Sequence, residues 1–195
     1  MTIRRARQAQ LRYVRGVAST TARPAVVTGA RLDLLRSLGF AELQHDSHVP
    51  FLSHLIGTRR VLATWDARPA LCDAGLFHSV YGTEYFEVEQ RPDRATVTAI
   101  IGAEAERIAW LWCNIQRATL DPDASTVLLR ADGATEPLTR AEVADVATLW
   151  AADTVEQVAR LTPDERAFAG GLLAVLRCAS APAQTAVREL QALLD

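Results

Sequence analysis

Apolar positions recur along most of this chain at three- and four-residue intervals, the period of a helix packed on one side. Across 51–66 (FLSHLIGTRRVLATWD), Leu52, Leu55, Ile56, Leu62 and Trp65 form one such stripe, with Arg59 and Arg60 placed outside it. Asp66 to Pro69 breaks that helix. A second runs over 70–81, with Leu71, Ala74, Gly75 and His78 on one face, and Gly82-Thr83 ends it. The pattern gives further helices at 31–38, stopped by Gly39, and at 93–118, opened by Pro92-Asp93. Capping boxes open two more, Thr139-Arg-Ala-Glu142 for 139–160 and Thr162-Pro-Asp-Glu165 for 162–178, and a last helix spans 182–194. Residues 40–50 read as a loop ending at Pro50. The run from Thr126 to Leu129 is β-like, and with Asp132-Gly133 it reads as a small hairpin near 125–138. The expectation is an all-α fold over 26–195, one bundle of about six or seven helices carrying that hairpin, preceded by a basic, partly ordered arm at 1–25.

Composition narrows the function classes. With 195 residues, 49% of them hydrophobic, the chain is too apolar for disorder. A chain this long buries roughly 70% of the surface its unfolded form exposes, so it needs no disulfide or structural metal to fold. A net charge of -2 gives no general reason to bind nucleic acid or an anionic membrane. No stretch approaches the ~18 apolar residues of a membrane span. The first 25 residues carry Arg4, Arg5, Arg7, Arg12, Arg15 and Arg23 without an acidic residue, and they lack the apolar core of a secretory signal. They read as a leader packed through Leu11, Tyr13 and Val14 rather than as an arm for an anionic partner. Cys72, Cys113 and Cys178 are scattered and odd in number, which fits buried thiols in a reducing cytoplasm. Every basic residue is arginine, so a lysine Schiff base, a lysine general base and a P-loop lysine are all excluded.

The four histidines, His45, His48, His54 and His78, fall within one short segment. The turn at 67–69 makes the helices of His54 and His78 antiparallel neighbours. Counting about 1.5 Å per residue from that turn places the two within roughly 5 Å in height, each on or beside an apolar face. Asp153 follows Val146, Leu149 and Trp150 at helical spacing, which puts a carboxylate on the apolar face of its own helix. A buried carboxylate needs a partner or a metal. His54, His78 and Asp153 together make a two-imidazole, one-carboxylate ligand set suited to Fe, Mn, Co or Zn. As structural alternatives, Asp153 pairs with a helix end or an arginine and the histidines are hydrogen-bonded core. His48 and Glu84 are candidates for a fourth ligand or a general base, and Tyr81 for a catalytic hydroxyl. Thr58, Trp65, Phe77, Ser79, Tyr85 and Trp150, with Trp112, are candidates for a substrate pocket.

The string H54-L-I-G-T-x-x-x-L62 followed by A74-G-L-F-H78-S-V-Y-G-T-E84 resembles the HD-domain superfamily of helical metalloproteins. It is most similar to an uncharacterised HD-related family with the G-L-F-H-S-x-Y-G-T-E signature. The resemblance covers roughly residues 45–160. It implies that His54 and His78 are metal ligands and that Asp153, in L149-W-A-A-D153, is the late carboxylate ligand. Ser79 stands where the superfamily has a metal-binding Asp. That departure argues against a dinuclear centre and for a mononuclear one, or for no metal, with Glu84 as a replacement carboxylate.

Few cations lie on the expected ligand faces. Arg160, at i+7 from Asp153, is the one that does. The expected activity is therefore that of a mononuclear non-haem metal enzyme acting on a small organic substrate, of the Fe(II)/O2 oxygenase type. The alternatives are a metal-dependent hydrolase of the HD type and a catalytically degenerate HD fold that binds a ligand or partner. A homodimer is compatible with each.

Overall fold

The computed structural model describes residues 29–45, 49–158, 160 and 170–194. The predicted basic arm, His48 and the capping box at 162–165 lie outside them. Eight α-helices and two small antiparallel sheets make up the described fold. The bundle is all-α with a hairpin, as the hydrophobic pattern predicts.

Helix α1 (Gly29–Ser37) leads into a two-residue ladder, β1 (Gln44–His45) with β2 (Val49–Pro50), inside the segment expected to be a plain loop. Pro50 then caps α2 (Phe51–Thr64) with an extended backbone. Helix α3 (Pro69–Phe77) starts with proline at its first turn, where the missing N–H costs nothing. It stops sooner than the predicted 81, so His78 is its C-terminal cap rather than a residue of its interior.

The long helix expected at 93–118 is two helices, α4 (Arg94–Ile101) and α5 (Ala103–Asn114). Gly102 divides them with φ +84°, a left-handed backbone that only glycine adopts freely. The division raises the helix number above the expected six or seven. Asp93 caps α4 by accepting from the Thr96 N–H at 2.8 Å. After α5 comes a 3-10 turn, Arg117–Thr119, then the hairpin of β3 (Thr126–Leu128) and β4 (Thr135–Pro137), paired Val127 to Glu136.

Helix α6 (Arg140–Gln157) opens with the predicted capping box between Thr139 and Glu142. Every residue from Asp145 to Val155 is buried. Helices α2, α3, α5, α7 (Gly170–Val175) and α8 (Ala181–Leu194) all pack on it. A helix covered on all sides shows only a weak stripe in its sequence. The approach of α6 to α2 depends on one glycine. A Cβ at Gly57 of α2 would lie 2.7 Å from a carboxylate oxygen of Glu156, so glycine there lets α6 come against α2. The apolar interior forms one continuous cluster through these helices. Among the described residues, no helix is long and apolar enough to cross a membrane.

Candidate metal centre

His54 projects from the first turns of α2, His78 caps α3, and Asp153 lies near the end of α6. All three are buried, with at most 4% of any of them exposed. His54 Nε2 is 3.1 Å from His78 Nε2 and 3.1 Å from Asp153 Oδ1, and His78 Nε2 is 3.4 Å from the same oxygen. The three donor atoms thus form a nearly equilateral triangle. A cation held at about 2.0–2.1 Å by such ligands requires them to be about 2.9–3.4 Å apart, which matches. His54, His78 and Asp153 are thus a buried group that could hold a metal ion.

The surrounding contacts orient each donor. His78 Nδ1 donates to the Gly75 carbonyl at 2.7 Å, which leaves its Nε2 lone pair facing the triangle. Cys113 Sγ donates to the His78 carbonyl at 3.1 Å and fixes the backbone. His54 Nδ1 donates to Glu156 Oε2 at 2.5 Å. Asp153 accepts from Gln157 Nε2 through Oδ2 at 2.9 Å, which leaves Oδ1 for the histidines. Arg160 in turn grips Glu156 through both terminal nitrogens. Hydrogen-bonded carboxylate and carbonyl partners of this kind set ring tautomer and direction around protein-bound metals.

The electrostatics show what the cluster demands. Burial alone would depress the His54 pKa, but hydrogen bonds and charge from Asp153 and Glu156 outweigh it and raise it to about 9. Burial works against ionised Asp153 as well, yet His54 and His78 hold its carboxyl far below the usual range. Glu156 is likewise lowered against its burial, by His54 and Arg160. Three electron-rich atoms this close need a shared cation. A proton on His54 meets that need, and a metal ion would displace it.

Glu156 was not among the residues expected at the site. In sequence Glu156 and Arg160 make an ordinary i,i+4 surface pair, and only the approach at Gly57 brings the carboxylate to His54.

The other expected residues sit elsewhere. Glu84 is engaged by Arg117, whose Nε donates to it at 2.9 Å, and it is not one of the three clustered donors. The Tyr81 hydroxyl donates to Glu106 at 2.9 Å, and Arg94 forks the same carboxylate. Burial and that contact push the phenol pKa upward, so Tyr81 is held as part of the core. Trp65 is the C-terminal cap of α2, three turns and about 16 Å along the helix from His54. Tyr85 is 73% exposed. Phe77 and Ser79 are buried beside His78. Thr58, one turn beyond His54, is buried with a hydroxyl that has no partner among the described residues. Trp150 is buried edge-on against Trp112, at 6.3 Å between centroids, and Trp112 is edge-on against His78 at 5.9 Å. Arg59, expected outside the apolar stripe, is buried with its Nε 3.7 Å from Asp73. Cys72, Cys113 and Cys178 are free thiols, the last only half-buried.

A family model described as a domain of unknown function (DUF6817) matches residues 34–117. The match spans less than half of the chain. It includes His54, His78 and Glu84 but stops before Asp153 and Glu156. No curated protein and no solved structure matches the chain.

Proposed function

We propose that this protein is a mononuclear metal-dependent enzyme of the Fe(II)/O2 type, acting on a small organic substrate in the cytoplasm. The triangle of His54 Nε2, His78 Nε2 and Asp153 Oδ1 at 3.1–3.4 Å is the observation that carries the reading. Two imidazoles and one carboxylate form the ligand set of non-haem Fe(II) oxygenases, in which the open positions take dioxygen and substrate. The chain order of the ligands supports an HD-like arrangement. One His lies on a helix, the second ends the next helix, and the Asp follows on a later one. Ser79 supplies no carboxylate, which favours a single ion over a pair. The chain's own part is to hold three donors rigidly, to keep their outer atoms bonded to Gly75, Glu156 and Gln157, and to exclude water by burial.

Phosphate hydrolysis is less well served. It gains most from cations aimed at the developing charge, and Arg160, the expected cation, has both terminal nitrogens on Glu156. The test is to load metal-free protein with Fe(II) under argon and add nitric oxide. An S = 3/2 iron–nitrosyl EPR signal from the wild type, lost in His78→Ala, is the expected result. No signal from the iron-loaded wild type, with Zn- or Mn-loaded protein instead cleaving p-nitrophenyl esters, would show the hydrolase alternative to be right.

A further inference from the structure

The 3-10 turn after α5 begins with Arg117, a residue with only 6% of its side chain exposed. Its guanidinium carbon lies 4.4 Å from the ring centre of Trp112, 5.8 Å from that of Trp150 and 5.0 Å from that of Tyr85. Stacking of this kind suits a guanidinium, which is planar and weakly hydrated. Nε is occupied by Glu84. The two terminal nitrogens have no acceptor among the described residues, and neither is sealed from solvent. The fork is therefore the open end of a largely buried, stacked guanidinium, placed to take an acceptor from solution. A second donor in the same cluster, Trp150 Nε1, is buried without a partner among the described residues. One ring, Trp112, separates the guanidinium from His78.

We propose that Arg117, oriented by Glu84, is the anchor for a carboxylate of the substrate, which makes that substrate a small organic acid. The inference rests on the proposed metal-centred activity and names its substrate class. A carboxylate presents acceptors only and fits the guanidinium fork through two parallel hydrogen bonds. Glu84 already balances the arginine charge, so the cage takes one further negative charge more readily than two. That favours a carboxylate over a phosphate dianion.

Calorimetric titration of the metal-loaded protein with benzoate, benzamide and inorganic phosphate tests this. Benzoate is expected to bind at least tenfold more tightly than benzamide or phosphate. Arg117→Lys, which keeps the charge and loses the fork, is expected to remove that preference while metal content and the circular dichroism spectrum stay unchanged. Equal binding of benzoate and benzamide, or a preference for phosphate, would overturn the proposal without a variant being needed. So would benzoate binding that survives Arg117→Lys and disappears in His78→Ala, because the carboxylate would then be a metal ligand only. A wild type that holds no metal contradicts the metal reading, whereas one that holds metal and ignores benzoate contradicts only this inference.

Discussion

Glu156→Gln is expected to weaken metal binding by about 10–100-fold while leaving the fold intact. The substitution keeps the shape of the side chain and an oxygen for His54 Nδ1, but removes the charge that raises the basicity of that ring. In the present geometry Glu156 contacts the imidazole at 2.5 Å and is itself held by Arg160. A chelator competition titration reads the effect directly. Gly57→Ala should act in the same direction, because the added methyl meets the Glu156 carboxylate at 2.7 Å. If Glu156→Gln leaves metal affinity unchanged and only lowers the melting temperature, Glu156 is a structural ion-pair partner and does not tune the centre.

Trp112→Ala is expected to destabilise the protein by about 3–5 kcal/mol, the range for removing a buried indole. Trp112 is 1% exposed and touches His78, Trp150 and Arg117, so no single neighbour can collapse into the space. The change should appear as a lower urea midpoint with an unaltered slope. A loss below about 1 kcal/mol would mean that the cluster repacks, since costs this small belong to volume-conserving swaps. The Trp112 ring would then not be a fixed spacer between Arg117 and His78.

What the sequence discloses about this site depends on distance along the chain. His54 and His78 flank a short turn, so helix rise alone places them at matching heights. Asp153 is marked by its position among Val146, Leu149 and Trp150. Those two signals are local, and the structure brings the three side chains together. Glu156 and Arg117 are not disclosed in the same way. Glu156 needs the contact at Gly57 between two helices far apart in sequence. Arg117 sits just past α5, where an apolar stripe read through to 118 hides the end of the helix. The same over-extension hid Gly102, because isolated glycine inside a helical pattern does not announce a positive φ. The spacing of Glu84 after His78 does not disclose its partner in the fold, Arg117. Its carboxylate orients Arg117 rather than a metal. Aromatic spacing leaves the level open at Trp65, three turns from His54 on the same helix, since periodicity gives the face of an element and not the level along it.

Metal analysis of anaerobically purified, untagged protein tests the central claim most directly, with His54→Ala and His78→Ala measured by ICP-MS beside the wild type. The account predicts close to one Fe, Mn, Co or Zn per chain in the wild type and almost none in either variant, with all three proteins folded. Metal far below one per chain, unchanged by both substitutions, would contradict it and would leave the buried triangle as a histidine–aspartate cluster held together by a proton.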